Sequence, residues 1–401
     1  MPGGMRPPHE INMASKAAPS SLPMLEGIRI CDMTSVIFGP YCTATLASMG
    51  AEVIKLEPPG GDELRRVGTP QNTRGMGPAH LTMNAGKRSV TWDLKSAEGR
   101  DKLDALLARS DVFIHNLRHE AVARARLDYE TVKALRPDIV YVSCTGFASD
   151  GPLRGRPAYD DIVQAASGAA SLLSSADGNP RPRYLPTAIA DKVGGLHAVY
   201  AVLGALFHRQ RTGMGQHVEV PMFESFTHFL LQEHLYGRTF VPPTGPTGYA
   251  RQLDPDRQPI STLDGYITIA PYTDERWVRL LAIIGLGTLL TEDRFASRRA
   301  RFDNLAAMQK FTAQRLATQT TQHWLDLFDA HDIPAYPVNT LDDLFNDPQL
   351  VGGNFFSVQS HPTEGDYLAM RAPVRFSGRP DVPLDPAPVL GANSNDSDLD
   401  A

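Results

Sequence analysis

Cysteine is scarce in this chain, since only Cys31, Cys42 and Cys144 occur among its 401 residues. Three widely spaced thiols do not have the spacing of a zinc site, and any disulfide scheme leaves one of them unpaired. Neither a disulfide-rich secreted protein nor a cysteine-based metal centre is expected. Reduced thiols in a cytoplasmic protein are the simplest interpretation.

Neither sign of charge is in large excess, because 39 Lys and Arg stand against 45 Asp and Glu and the formal net charge is −6. Dedicated nucleic-acid-binding proteins normally carry a basic surplus, so no nucleic-acid partner is expected.

Long apolar runs are also missing. The longest, His197 to Phe207, is shorter than the roughly 20 residues that cross a bilayer, so we expect no transmembrane segment and no membrane partner.

Several common catalytic signatures do not occur. The chain has no GxxxxGK[ST], HExxH, CxxC or GxSxG, so nucleoside-triphosphate, zinc-protease, thioredoxin-like and α/β-hydrolase chemistry lack their usual marks. The loop Asp32 to Pro40 has one glycine where a dinucleotide-binding turn has three. A bound nicotinamide dinucleotide is therefore not expected either.

What the sequence does contain is an alternation of short apolar runs with amphipathic segments. The predicted strands are Ile28–Cys31, Glu52–Leu56, Ser89–Asp93, Val112–His115 and Ile139–Cys144. The predicted helices between them are Tyr41–Met49, Glu98–Ser110 and Tyr129–Leu135. Such alternation predicts an α/β fold with an open, Rossmann-like, mostly parallel sheet.

Changes in composition predict the domain boundaries. Residues 1–24 are rich in Pro, Gly, Ala and Ser and are expected to be a disordered leader. Residues 25–240 would form the first part of a large α/β domain. A Pro- and Gly-rich linker from Val241 opens a small α+β domain at 241–335, and the tail from Arg371 to Ala392 would have to pack back on another part of the molecule.

Asp191 stands in the segment Pro186 to Gly195, directly before a long predicted helix at Lys192 to Arg211. Asp is a favoured N-cap residue, and from spacing alone a cap worth about 1 kcal/mol is the simpler interpretation. Gly194 and Gly195 are costly inside a helix and indicate that something bulky approaches the backbone there. An ionised carboxylate at a helix start can also act as a nucleophile.

Several stretches together resemble one family. They are Leu25–Ile30, Gly39-Pro40, Met49–Asp62, Lys87–Val90, Thr145–Phe147, Gly151-Pro152, Tyr159-Asp160, Arg211–Val220 and Pro386–Gly391. In this combination they resemble the class III CoA-transferases, the formyl-CoA transferase and carnitine CoA-transferase (CaiB/BaiF) family. The resemblance covers nearly all of residues 25–391 and implies an enzyme that moves CoA from an acyl-CoA thioester to a free carboxylic acid.

The resemblance implies a role for Asp191 as the residue that carries the acyl and CoA groups, through a mixed anhydride and an aspartyl-CoA thioester. Backbone amides near Gly194 and Gly195 would stabilise the oxyanions. CoA is then a substrate, and no metal, ATP, redox group or tightly bound cofactor is required. The implied CoA contacts are Val36, Ile37, Lys87, Arg88, Asn116, Arg124, Phe147 and Tyr159. The family fold also implies that residues 25–240 form a large CoA-binding domain, which residues 336–401 return to complete. It further implies an interlocked homodimer.

Two alternatives stay open at this point. The same superfamily contains 2-methylacyl-CoA racemases with a His/Asp pair; their aspartate would fall on Asp160, but their histidine would fall near Ser143, which cannot serve as the base. A CoA-binding protein without catalytic activity is the second alternative.

The glycine-rich lid of the formyl-CoA branch is reduced to scattered glycines near Gly245 to Tyr249. Arg251 or Arg257 could pair with a second substrate carboxylate.

Overall fold

The structure is a computed structural model that describes residues 23–377 and 383–400. The predicted leader, residues 1–24, lies outside the described residues except at its last two positions.

Strands and helices alternate along most of the described chain. The strands are β1 (Arg29–Met33), β2 (Glu52–Glu57), β3 (Lys87–Thr91), β4 (Val112–His115), β5 (Val140–Thr145), β6 (Gln216–Pro221), β7 (Ile260–Ser261), β8 (Tyr266–Ile269), β9 (Ala335–Pro337), β10 (Phe356–His361) and β11 (Gly365–Met370). The helices are α1 (Phe38–Ser48), α2 (Pro78–Met83), α3 (Ala97–Ala108), α4 (His119–Ala125), α5 (Tyr129–Leu135), α6 (Asp160–Ala166), α7 (Ala169–Asp177), α8 (Ile189–Thr212), α9 (Met222–His234), α10 (Asp274–Ile283), α11 (Arg298–Asp303), α12 (Leu305–Leu316), α13 (Thr321–Asp329), α14 (Pro348–Gly352) and α15 (Ser397–Asp400). Short 3-10 helices cover Glu63–Arg66, Tyr236–Thr239, Gly287–Thr291 and Asp343–Asn346.

Strands β1 to β6 form one sheet in the order β3-β2-β1-β4-β5-β6. Every neighbouring pair in it is parallel. The order reverses between β1 and β4, as it does in doubly wound α/β sheets. The strands are apolar runs because helices cover both faces of such a sheet, and β4 is buried at all 4 of its positions. The predicted α/β fold with an open parallel sheet is confirmed.

Helices pack on both sides of this sheet. On one side, Leu103 and Leu107 of α3 and Val132 of α5 join Phe113 and Tyr141 of the strands in a buried apolar cluster. On the other side, α1 and α8 contact each other. Helix α1 also contacts β1 and β2, and α8 also contacts β5 and β6. The sheet is therefore held as the middle layer of three.

The chain divides into two compact units. Unit 1 comprises the residues up to Tyr159, then Ala188–Ser225, then the residues from Phe355 onward. Unit 2 comprises Asp160–Thr187 and Phe226–Asn354. Unit 1 holds the parallel sheet and the β10–β11 hairpin, and unit 2 holds the three-stranded sheet β7-β8-β9.

This division differs from the predicted one at residues 160–187, 226–240 and 336–354, which all belong to unit 2. The side chain of Gln164 in α6 forms hydrogen bonds with the backbone of Leu185 and Thr187, so the two ends of the segment 160–187 are bonded to each other. The segment after β9 stays with its own sheet, because the Tyr336 hydroxyl donates to Asp347 at 2.6 Å. Neither of these contacts is visible in the composition of the chain.

The C-terminal segment is bonded to the edge of the parallel sheet. The Ser89 amide of β3 donates to the side chain of Asn393 at 2.9 Å, and the Gly86 amide donates to the Asp385 carbonyl at 2.8 Å. Residues from both ends of the chain therefore build unit 1.

Helix α8 is long and apolar enough, by length and composition only, to cross a membrane. Its mean hydropathy over the qualifying stretch is 1.3, and 56% of that stretch is buried inside the fold. Because α8 packs on α1 and on two strands, its apolar character is that of a core helix. The expectation of no transmembrane segment rested on the continuous apolar run from His197 to Phe207, which is one part of this helix.

Candidate active site

A cleft of about 1450 Å³ lies at the carboxyl edge of the parallel sheet. Its walls are the segments that follow β1 to β5, together with residues of β5, of β6 and of the first turn of α8. All of its lining residues belong to unit 1. In open α/β sheets ligands bind at this edge, next to the point where the strand order reverses. The cleft is therefore the candidate site.

Asp191 lines this cleft from the first turn of α8 and is 8% exposed. The helix begins at Ile189, and its N-cap residue is Ala188, which makes no side-chain capping bond. The predicted start at Lys192 and the interpretation of Asp191 as the N-cap are therefore wrong. In the first turn a carboxylate is favoured in its ionised form, because unpaired backbone N–H groups give this helix end partial positive charge.

Gly194 and Gly195 lie inside α8 and serve its packing. A Cβ atom on Gly194 would stand 2.9 Å from the Phe38 ring, and one on Gly195 would stand 2.9 Å from the Phe38 carbonyl oxygen. The bulky group that approaches this backbone is therefore α1. In a helix interior each N–H bonds the carbonyl four residues earlier, so these amides are occupied. The structure gives the pair a packing role in place of the predicted oxyanion role.

Two predicted contact residues flank the reversal point of the sheet. Val36 follows β1, lines the cleft and has φ +66°, which is unusual for a β-branched residue. Asn116 follows β4 and also lines the cleft, with both ends of its amide bonded to the backbone of Ser35. Ile37 is the N-cap residue of α1 and is not part of the lining.

Lys87 is buried and is not part of the cleft lining. Its ammonium donates to Asp32 at 3.2 Å, to Thr43 at 2.7 Å and to Asn84 at 2.9 Å. Burial lowers the pKa of Lys87, and although Asp32 opposes this, the pKa falls to about 8. Burial would raise the pKa of Asp32, but Lys87 and Lys55 lower it to about 2. The structure thus assigns Lys87 to an internal ion pair, in place of the predicted phosphate contact.

Arg88 also lies away from the cleft. Its guanidinium is bonded to Glu52, Asp396 and Asp398, each at 2.7 Å. These bonds, chiefly the one to Asp398, raise the pKa of Arg88, and they fasten the end of the chain to β3. The suggested role of Arg88 at the CoA phosphates is not supported by this placement.

The other three predicted contact residues, Arg124, Phe147 and Tyr159, line the cleft. Phe147 is 7% exposed and Tyr159 is 58% exposed, so the first is a fixed wall and the second is an accessible ring.

Sequence reasoning missed most of the positive charge in the cleft. The exposed cations that line it are Arg66, Lys95, Arg118, Arg124, Arg154 and Arg156. Among the described residues none of these six has an ion-pair partner. All lie on segments that follow β2, β3, β4 or β5, so the rule that ligand-binding loops follow parallel strands could have found them.

Ser143 and His217 also face the cleft, on neighbouring strands. The Ser143 hydroxyl and the His217 Nε2 are 2.8 Å apart. Burial lowers the pKa of His217. Serine at 143 leaves the racemase-like histidine without a counterpart at that position, as the sequence indicated, and His217 is a cleft residue that the sequence reasoning did not single out.

In the described part of the chain, no group of three or more His, Cys, Asp or Glu side chains is arranged to hold a metal ion. Cys31, Cys42 and Cys144 are free and buried. Burial raises the pKa of all three thiols.

Comparison with known proteins places this chain in a family. Residues 25–394 match CoA-transferase family III, so the chain belongs to that family. It is similar to the succinate–glutarate CoA-transferase of Agrobacterium fabrum, with 31% identity over 380 residues that cover 93% of this chain and 94% of the relative. It is also similar to the formyl-CoA:oxalate CoA-transferase of Streptomyces coelicolor, with 31% identity over 395 residues and 93% of each chain covered.

A solved structure agrees with these relatives. A CAIB/BAIF family protein from Brucella suis superposes with a TM-score of 0.80 at 30% identity, over 93% of this chain and 98% of that chain. The resemblance predicted from the sequence is confirmed, and the protein is an enzyme of the CoA-transferase class.

Proposed function

We propose that the cleft binds an acyl-CoA and that Asp191 is the nucleophile that transfers CoA to a free carboxylic acid. The observation that carries this proposal is the position of Asp191. It is the carboxylate presented by the first turn of α8 to the cleft at the carboxyl edge, in a chain of this family. The partial positive charge of this helix end favours a carboxylate there as the anion, and Asp191 is largely shielded from water; both properties favour nucleophilic attack.

The chemistry proceeds by exchange of acyl groups. An Asp191 oxygen attacks the thioester carbonyl, the C–S bond breaks, and a mixed anhydride and CoA thiolate form. The thiolate then attacks the aspartyl carbonyl, so that the donor acid leaves and an aspartyl-CoA thioester remains. The acceptor carboxylate attacks this thioester and releases the thiolate, which finally takes the new acyl group and frees Asp191. No net proton or electron is gained or lost.

The cations of the cleft support CoA as the substrate. Lys95, Arg118 and Arg124 lie on the segments after β3 and β4, and CoA carries phosphate groups that guanidinium and ammonium groups bind well. Val36, Phe147 and Tyr159 add apolar and aromatic surface to the same cleft. We propose these six residues as the CoA contacts of this chain.

Replacement of the nucleophile tests the proposal. Asp191→Asn should reduce CoA exchange between succinyl-CoA and a free acid by more than a thousandfold, while CoA still binds. Asp150→Asn, at an exposed aspartate outside the cleft lining, is the matched control. Substantial exchange by the Asp191→Asn enzyme would contradict the assignment. Binding of CoA without any exchange by the wild type would favour a silent CoA-binding protein.

The names of the relatives guide the choice of substrates. Succinate, glutarate and oxalate occur in those names, and all three are dicarboxylic acids. We propose a dicarboxylic acid as donor or acceptor. Succinyl-CoA, acetyl-CoA and formyl-CoA, assayed against short dicarboxylic and monocarboxylic acids, test this class.

We also propose that the enzyme acts as an interlocked homodimer in the cytoplasm. Leu196, Tyr200 and Phe207 of α8 are 49%, 60% and 60% exposed, and their spacing places them on one side of the helix. An exposed apolar stripe on a core helix is suited to cover by a second copy of the chain. The free buried thiols suit a reducing compartment.

A further inference from the structure

The backbone of Thr34, Ser35 and Val36, directly after β1, is bonded to side chains from elsewhere in the fold. Asn116, at the end of β4, spans Ser35: its Oδ1 accepts from the Ser35 amide at 3.0 Å, and its Nδ2 donates to the Ser35 carbonyl at 2.9 Å. The two ends of the amide side chain are thereby occupied by one peptide segment. An amide used in this way fixes the orientation of the backbone that it holds.

A buried ion pair holds the residues on either side of Ser35. The Lys55 ammonium donates to the Thr34 carbonyl at 2.7 Å and lies 2.9 Å from Asp62. The other oxygen of Asp62 accepts from the Val36 amide at 3.1 Å. The side chains of Lys55 and Asp62 are 0% and 1% exposed, so neither partner can exchange these bonds for water.

The conformation that these contacts impose is unfavourable in itself. Val36 has φ +66°, and a β-branched side chain crowds its own backbone in that region. Such a conformation persists only where the surroundings determine it, and it is found mainly at ligand-binding and catalytic sites. Here Thr34, Ser35 and Val36 all line the cleft.

We propose that Asn116, with the Lys55–Asp62 pair, is a positioning residue: it acts on CoA binding through the backbone of residues 34–36, by holding Val36 in its left-handed conformation. The identity of the ligand rests on the proposed function. Beyond that function, Asn116 acts on CoA indirectly, in place of the direct contact that the family resemblance implied. We call the bonds of Asn116, Lys55 and Asp62 to this backbone the clamp. If the clamp is lost, residues 34–36 spend less time in the binding conformation, and the apparent dissociation constant for CoA rises in proportion.

A double-mutant cycle distinguishes positioning from direct contact. Glycine adopts positive φ as readily as negative φ, so Val36→Gly removes the need for the clamp. Asn116→Ala alone should weaken CoA binding about tenfold by isothermal titration calorimetry. In the Val36→Gly background the same change should cost less than about threefold. Asn179→Ala, at an exposed asparagine outside the cleft, is the matched control.

Equal losses in both backgrounds would overturn the proposal, because a direct contact with CoA does not depend on the conformation of Val36. An unchanged affinity of Asn116→Ala would overturn it as well. If Asn116→Ala does not fold, Asn116→Ser takes its place in the cycle.

Amide hydrogen exchange of the ligand-free protein tests the clamp without relying on the function. Exchange of a peptide that contains residues 34–37 should accelerate at least about fivefold in Asn116→Ala and not in the control. Unchanged exchange would overturn the clamp, whereas a wild-type protein that binds no CoA would overturn the proposed function instead.

Discussion

At the scale of single residues, buried titratable groups determine how stability depends on pH. His115 is a buried residue of the cleft lining, with its Nε2 at 2.7 Å from the Tyr141 hydroxyl. Leu117 donates its amide to His115 Nδ1, and Tyr141 donates to the Leu127 carbonyl, so these bonds assign the ring proton to Nε2. Burial, with a smaller effect of His217, lowers the pKa of His115 to about 4. The folded protein therefore holds this ring neutral.

We predict that the free energy of unfolding falls as the pH is lowered from about 6.5 to about 4, because the unfolded chain binds a proton there that folded His115 does not. For one such group the loss reaches about 3 kcal/mol, from the pKa difference. His115→Gln should remove this part of the slope in denaturant unfolding at several pH values. His119→Gln, at an exposed histidine, should not. Identical slopes in both variants would contradict the prediction.

Individual side chains were only partly predictable from the sequence. The family resemblance implied site roles for Asp191 and Arg124, and both residues line the cleft. The same resemblance implied that Lys87 contacts CoA, yet its side chain is 0% exposed. The partner that determines its direction, Asp32, is 55 residues away in sequence. Spacing along the chain cannot reveal a contact of that kind.

At the scale of secondary-structure elements, the packing of α8 on α1 determines where Asp191 stands. Gly194 and Gly195 allow the two helices to approach, since a Cβ on either glycine would meet Phe38. The sequence predicted a close approach from this glycine pair, but it could not say that α1 is the partner. It also missed the first turn of α8, because the cap at Ala188 has no side-chain signal.

We predict that Gly195→Ala destabilises the protein by about 1–3 kcal/mol, because its Cβ would meet backbone that cannot move aside easily. Gly204→Ala, in the same helix, is the matched control. Nothing lies within 4 Å of a Cβ at Gly204, so alanine should stabilise the helix there by up to about 1 kcal/mol. Denaturant unfolding measures both changes. A loss of stability at Gly204 equal to that at Gly195 would show that helix packing is not the cause.

At the scale of the whole molecule, both chain ends build the unit that contains the cleft. The alternation of strands and helices predicted the parallel sheet, because local patterns specify each strand. The domain boundaries were less predictable, since residues 160–187 and 336–354 are assigned to unit 2 by contacts such as Tyr336 with Asp347. The exposed stripe on α8 was not predictable from the sequence either, because the exposed side of a helix depends on its neighbours.

We predict that the protein has twice the 43.8 kDa mass of one chain in light scattering. Because interlocked chains cannot separate while folded, the dimer should persist on dilution and dissociate only in the unfolding transition. Tyr200→Asp should lower the yield of dimer, whereas Leu341→Asp, at a residue that is 81% exposed in unit 2, should not. Folded monomers formed on simple dilution would contradict interlocking.

The most direct test of the account is to trap the covalent intermediate. The enzyme is incubated with succinyl-CoA in the absence of an acceptor acid and then treated with borohydride, which reduces an aspartyl thioester to the alcohol. Peptide mass spectrometry should find residue 191 converted from aspartate to homoserine, and no conversion with free CoA alone. An enzyme that exchanges CoA at full rate while Asp191 is never converted, or a conversion confined to another carboxylate, would contradict the account.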